Sequence, residues 1–341
     1  MSSSHQHPAE AWNDTISRAG GHLLQSWEWG EFKSQHGWLP ERITVESGRG
    51  RAFAQVLFRH KGPLSIGYVP RGPVLDGDAG SVWPELRASL DESARRHRAI
   101  CLIVEPDGSV GLSGRYRDAG FVRGPAHFQP GRSVKVPLLE DDALLAQMHQ
   151  KTRYSVRLAK RRGVIVERLE PVPAALEGFY RLLEETAERN AFKIHSRAYY
   201  NDFVSVFAEQ VVLLQALVDG HHAASLIAAA FGDEAIYMYG ASSTQYRAHG
   251  AAFLLQFEAM RWARDRGCTR YDLWGIPDRD PTSITADGAT VASTHGDDWR
   301  GLYRFKTGFG GEIVRYPPTM ERRYVPVLAW LARRTGVIRD S

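Results

Sequence analysis

Residues 235–277 read AIYMYGASSTQYRAHGAAFLLQFEAMRWARDRGCTRYDLWGIP. The stretch opens on alternation: Ile236, Met238 and Gly240 fall on one side of an extended chain, and Tyr237, Tyr239 and Ala241 on the other. The small residues Gly240, Ala241, Ser242 and Ser243 then predict a break in that strand, either a bulge or a close backbone approach. Ala252, Leu255, Ala259 and Trp262 recur at helical spacing, and Gly267 stops the helix just past its last turn. A second strand over 270–274 ends in the loop Gly275-Ile276-Pro277. The whole is a strand–turn–helix–strand unit. Its helix entrance, Arg247-x-x-Gly250-x-Ala252, sets a cation and small residues where backbone N–H groups attract phosphate. A small-residue helix start under a tight sheet would read the same way.

Outward from this unit, the preceding sequence predicts strands over 211–218 and 223–231 with hairpin turns at Asp219-Gly220 and Gly232-Asp233-Glu234. The first half has the same order: strands over 39–45, 51–59 and 64–69, a helix over 82–96, and an apolar strand over 99–104 that runs into Glu105. Antiparallel strands, a helix and then a parallel strand, met twice, predict an α/β fold with α+β mixed sheets in two similar domains. In both, the last strand ends in polar loop residues, where such sheets place ligands. Residues 1–20 read as a loose lead-in, and Ser26 caps a short aromatic helix over 26–35. Residues 144–163 read as one helix crowded with Lys151, Arg153, Arg157, Lys160, Arg161 and Arg162, either a solvated face or a phosphate-contacting surface for RNA. Helices follow over 174–191 and 196–207. Residues 278–299 form a long loop rich in Asp, Thr and Gly, and an apolar helix over 325–334 closes the chain.

A length of 341 residues accommodates two cores. The formal charge of +4 permits an anionic partner without requiring one. The two cysteines, Cys101 and Cys268, have neither disulfide nor metal spacing, which fits a reducing cytoplasm. There is no apolar signal core near the start, and no apolar run approaches the ~20 residues of a spanning helix. No Ser/His/Asp order, Walker-type loop or zinc spacing stands out.

Seven segments in order carry a resemblance: QSWEWGEFKSQHGW (25–38), YVPRGPV (68–74), KTRYSVRLAKRRGV (151–164), FYRLLEETAERNAFKIHSRAYY (179–200), YGASS (239–243), RWARDRGCTRYDLWGIP (261–277) and LYRFKTGFGG (302–311). Together they resemble the FemABX family of peptidoglycan bridge-forming, tRNA-dependent aminoacyltransferases, within the wider GNAT fold. The helix entrance at 247–252 likewise resembles a GNAT pyrophosphate loop. No sustained heptad pattern is present, so the chain looks like the type without a coiled-coil arm. The resemblance implies two tandem GNAT-like domains with a cleft between them: residues 1–148, with 318–341 packing back on them, and residues 149–317. It implies transfer of an amino acid from aminoacyl-tRNA to the side-chain amine of a stem peptide, on UDP-MurNAc-pentapeptide or its lipid-linked form. No metal or organic cofactor is required. A cytoplasmic monomer is expected, with room for a peripheral position at the inner face of the membrane.

The implied reaction is aminolysis of an ester: two anionic substrates must be aligned, an amine deprotonated and an oxyanion stabilised. Lys306 matches the family's FKxGF element and is the expected catalytic cation, with Phe305 stacking on the terminal adenine. Lys33, Arg197 and Tyr200 match positions that hold the precursor, the cations on its phosphates. Tyr239 is expected to hydrogen-bond the muramyl-peptide portion. Glu105 stands where the family often has an acid, usually Asp, and is the candidate for receiving or positioning the amine. Asp272 and His249 are weaker base candidates; Asp272 reads better as an anchor for a neighbouring loop. The alternatives are a CoA-dependent N-acyltransferase, from the loop at 247–252, and a non-catalytic RNA- or precursor-binding protein, from the basic run.

Overall fold

A computed structural model describes residues 7–108, 112–125, 128–190, 193–279 and 299–334. Two compact units result, one from the chain up to Gln129 together with the chain from Arg315, the other from Pro130–Val314. The first unit begins with α1 (Pro8–Arg18), α2 (Trp27–Ser34), β1 (Leu39–Ser47), β2 (Gly50–Lys61) and β3 (Leu64–Pro70). It continues with β4 (Val74–Gly77), α3 (Ala79–Arg96), β5 (Ala99–Glu105), α4 (Leu112–Asp118) and β6 (Val122–Arg123). The second unit begins with β7 (Arg132–Pro137), α5 (Asp141–Gln147), α6 (Gln150–Arg161), β8 (Ile165–Leu169), α7 (Pro173–Asn190) and α8 (Arg197–Phe207). Then come β9 (Val211–Val218), β10 (His221–Phe231), β11 (Glu234–Ser242), α9 (Ala251–Asp265), β12 (Arg270–Gly275), α10 (Trp299–Thr307) and β13 (Glu312–Arg315). Finally β14 (Met320–Arg323) and α11 (Pro326–Arg334) return to the first unit.

The expected order of elements occurs twice. In the first unit β1, β2 and β3 pair antiparallel, α3 crosses over, and β5 lies parallel to β3. In the second, β9, β10 and β11 pair antiparallel, α9 crosses over, and β12 lies parallel to β11. Alternating and continuous apolar runs explain the packing: every residue of β5 is buried, and α9 sets Leu254, Leu255, Ala259 and Met260 against β9 and β10. A buried central strand needs both edges covered. β14 covers β5, and β7 covers β12. Because Val136 of β7 lies opposite Tyr271, β7 joins the second unit's sheet and residues 130–148 belong to that unit, so the junction expected at 148/149 falls at 129/130, and that at 317/318 falls at 314/315.

Three local expectations are corrected. The lead-in holds a helix, α1, capped by His7 and pinned by buried Trp12 and Ile16. The single helix expected over 144–163 is two, because Met148 is extended and buried while the His149 N–H donates to Gly308 O at 2.9 Å. The strand over 235–243 is not broken at Gly240: β11 runs on to Ser242, and its irregularity lies earlier. Residues 280–298 of the expected long loop lie outside the described residues. No helix among the described residues is long and apolar enough to cross a membrane. Both thiols are free and buried, each pushed up to about 11 by that burial.

Candidate functional site

β11 decides where the site's aromatic groups point. Tyr239 pairs with Ile227 and Tyr237 with Ala228, so Met238 is an extra residue without a partner in β10. The bulge undoes the alternation read from sequence. Ala228 faces the core under α9, and Tyr237 with it; Tyr239 faces the other way, towards α8. Past the bulge, Gly240 shares the face of Tyr237, and a Cβ there would lie 1.8 Å from the Tyr237 hydroxyl. Gly240 is thus a close approach, made by a side chain.

Beside Tyr237 lies Lys306, on the last turn of α10. It is only 6% exposed, and its Nζ stands 5.6 Å from the Tyr237 ring centre. One N–H of the ammonium donates to Gly275 O at 2.8 Å; among the described residues no second hydrogen bond or ion pair engages it. Burial pushes it down to about 8, against an opposing pull from Asp272. Asp272 is fully buried, accepts from the Ser133 hydroxyl, and accepts from the Trp274 N–H at 2.6 Å. Trp274 has φ +61°, and the β7–β12 register shifts between Asp272 and Gly275. Asp272 therefore fixes the irregular strand end that presents the Gly275 carbonyl to Lys306. Gln256 on α9 accepts from the Tyr271 hydroxyl at 3.0 Å and hydrogen-bonds Tyr237, which burial pushes up to about 12. Phe305 packs its ring against Phe253 and Phe309, at 4.9 and 5.3 Å. Tyr237 and Gln256 were missed in the sequence. The bulge that aims Tyr237 here depends on the register with β10.

On the opposite face a second group gathers Tyr239, Tyr200 and Arg197. Tyr239 is half-buried, hydrogen-bonds Tyr199, and meets Tyr200 and Phe203 edge-on at 5.0 and 5.3 Å. The Tyr200 hydroxyl accepts from the His195 N–H at 3.3 Å. Ser196 caps α8 and so sets Arg197 on its first turn. Arg197 ion-pairs with Glu177, lies 3.7 Å from Glu184 and stacks 4.6 Å from the Tyr180 ring centre. A small pocket is lined by Leu176, Glu177, Phe179, Tyr180, Arg197, Tyr200 and Asn201.

Lys33 and Glu105 belong to the first unit. Lys33, on the last turn of α2, has its Nζ 5.8 Å from the Trp29 ring and 5.9 Å from the Trp38 ring. Burial, and next the charge of Arg59, push it down to about 8. Arg59 itself lies 5.6 Å from the Trp38 ring. Glu105 is fully buried at the end of β5. It accepts from the Tyr68 hydroxyl, the Phe128 N–H at 2.6 Å, the Gln129 N–H at 3.2 Å and the Thr319 hydroxyl at 3.4 Å. The carboxylate thereby anchors the backbone at 128–129.

The helix entrance of α9 is closely backed. Gly250 has φ +74°, and a Cβ there would lie 2.7 Å from Ser155 O of α6. His249 is in the turn ahead of it, its ring edge-on to Tyr246. The basic run is partly structural: Arg153 donates to the Leu145, Ala146 and Met148 carbonyls, which end α5.

Comparison with known proteins gives four findings. The FemAB family model matches residues 10–114, 134–222 and 218–334. The lipid II:glycine glycyltransferase of Staphylococcus epidermidis is 26% identical over 343 residues, covering 78% of this chain and 82% of that one. Among solved structures, the crystal structure of FemX covers 96% of this chain and 98% of its own at a TM-score of 0.83 and 21% identity. A tandem GNAT protein from the clavulanic acid biosynthesis pathway covers 95% and 97% at 0.52 and 13% identity. At these identities the two structures speak to the fold, which is a pair of tandem GNAT-like units.

Proposed function

Because the chain belongs to the FemAB family, we propose that it is an acyltransferase that moves an amino acid from aminoacyl-tRNA to the side-chain amine of a peptidoglycan-precursor stem peptide. The glycyltransferase relative supports a glycyl donor and a lipid-linked acceptor as the first pair to test. The observation that carries the reading is the Lys306 ammonium, buried, fixed by one hydrogen bond to Gly275 O, with two N–H groups left to donate.

In this reading the ester carbonyl of the charged tRNA approaches Nζ of Lys306. The neutral amine of the stem peptide attacks the carbonyl carbon, and the carbonyl oxygen takes up negative charge beside the cation. The C–O bond to ribose then breaks, the ribose oxygen gains a proton, and an amide remains. A donor fixed in low dielectric needs no reorganisation as charge develops, and Tyr237 limits the space around it. Arg197, Tyr200 and Tyr239 are proposed to hold the precursor, with Lys33 on its phosphates. Phe305 is proposed to stack on the terminal adenine.

A CoA-dependent N-acyltransferase is the alternative. Its pyrophosphate would need the entrance of α9, where Gly250 already packs on the α6 backbone and Arg162 donates to Ala248 O at 2.7 Å. This crowding favours the tRNA reading, and titration calorimetry with acetyl-CoA tests it. The decisive assay incubates the purified protein with charged tRNAs, glycyl first, and with UDP-linked or lipid-linked precursor. The expected product is a precursor heavier by one aminoacyl residue; no mass gain with any pairing overturns the proposal.

A further inference from the structure

We propose that the exposed face of α6 is a docking surface for the duplex backbone of an RNA acceptor stem. The proposal rests on the transferase reading above and gives its RNA substrate a second point of contact. Residues 150–163 hold six cations and no acid. Three of the cations have structural work: Arg153 caps α5, Arg162 donates to Ala248 O, and Lys160 lies 3.7 Å from Glu258. The other three, Lys151, Arg157 and Arg161, are exposed, and among the described residues none has an acidic partner. Arg161 lies 5.7 Å from the ring of Tyr154, which is 56% exposed.

These four residues follow steps of three, three and four, which place them in one stripe about 15 Å long. The reverse side, Thr152, Val156 and Ala159, is buried. A surface helix needing only solubility would mix signs; here Arg153, Arg157 and Arg161 repel at i,i+4 spacing. Such a row matches a polyanion, and Tyr154 offers an aromatic face to ribose or base. The row also starts in the right place. The N-terminal end of α6 is fastened to the end of the helix that carries Lys306: the His149 N–H donates to Gly308 O, and a Cβ on Gly308 would lie 2.2 Å from Thr152 Oγ1. From there the cations lead away, as duplex must lead away from a 3′ end held at Lys306. Duplex RNA fits better than an anionic membrane, because the apolar side of α6 is spent in the core and cannot insert.

The test is fluorescence anisotropy on the full chain with a synthetic RNA hairpin bearing a single-stranded CCA end. The Lys151→Ala/Arg157→Ala/Arg161→Ala variant should bind the hairpin at least tenfold more weakly. Its slope of log affinity against log salt should be flatter by about 2 to 3. Affinity for a CCA trinucleotide and KM for the precursor should hold, and Arg157→Lys/Arg161→Lys should bind as wild type. Thermal unfolding should be unchanged or raised, since repulsion is removed. Equal hairpin affinity in the triple variant overturns the surface, as does wild-type protein that binds phosphatidylglycerol vesicles and not the hairpin. Transfer assays separate the two readings: equal transfer by wild type and triple variant sinks the surface alone. Wild type that binds the hairpin through these residues but transfers nothing sinks the transferase alone.

Discussion

A lysine held near 8 is a cation at pH 7 and half neutral one unit higher, so Lys306 ties the proposed chemistry to pH. Its folded value lies below the ordinary 10.5, so the charge is present below about 8 and lost above it. The attacking amine behaves oppositely: with a pKa near ~10.4, its reactive form grows tenfold per pH unit up to that point. The product of the two predicts that log kcat/KM climbs with unit slope and levels off above about pH 8. In Lys306→Arg the cation persists at all these pH values, so the climb should continue towards pH 10 from a lower start; Lys306→Ala should lose roughly 10²- to 10³-fold in kcat. A wild-type profile without the bend would detach this charge from the rate. Linkage runs in the same window for this one group: between 8 and 10.5 Lys306 is protonated in the unfolded chain and neutral in the folded one, so in urea titrations the stability of the wild type relative to Lys306→Ala should rise with pH there. Glu105 invites the opposite emphasis. Its lone pairs are met by at least four donors in a fully buried setting, so Glu105→Gln should turn an amide N–H against a donor and cost about 2 kcal/mol. Thermal melts beside kinetics decide its role: a fallen kcat with unchanged stability would mark a base, and a lowered melting point marks an anchor.

At the scale of the element, β11 carries the most consequence. One unpaired residue, Met238, sends Tyr237 to the Lys306 face and Tyr239 to the Arg197 face. Gly240→Ala should push a methyl into the Tyr237 hydroxyl and cost about 1–3 kcal/mol, with a loss of activity because Tyr237 must swing away. The same change in a Tyr237→Ala background should cost much less, and the double-mutant cycle measures the coupling. Equal costs in both backgrounds would mean that something else excludes a side chain there. The strands and α9 were legible because period and punctuation are local properties. Ser26 as a cap was legible for the same reason, and its hydroxyl accepts from the Trp29 N–H at 3.1 Å. The bulge was not, because it exists only relative to β10. Nor was the break at Met148, where burial and the bond to Gly308 override a helix-compatible sequence. The lead-in was misread because its apolar residues, Trp12 and Ile16, are too few to announce a period.

For the whole molecule, the repeated order of elements was legible, while the borrowing of the last strand in each sheet was only half so. β14 reaches β5 from more than 200 residues away in sequence, a pairing that no local pattern encodes; Arg322 and Asp91 are 231 residues apart. β7 escaped notice because its six residues, RSVKVP, alternate too briefly to declare which sheet they join. The closure of the first unit can be tested at Asp91. Its carboxylate takes Nε and Nη2 of Arg322 at 2.5 and 2.8 Å and the Tyr324 hydroxyl at 2.8 Å, with both partners of the ion pair largely shielded. Burial and this carboxylate push the Tyr324 hydroxyl well up, so it stays a donor. Asp91→Asn would leave the guanidinium without its counter-charge and should cost on the order of 3 kcal/mol. The loss should be local before it is global, since β14 closes only the first unit's sheet. Hydrogen exchange should therefore quicken at β5 and β14 while the amides of β9, β10 and β11 keep their wild-type rates. Acceleration of equal size in both sheets would mean that the two units unfold as one, and that the returning C-terminal strand secures more than the sheet it joins.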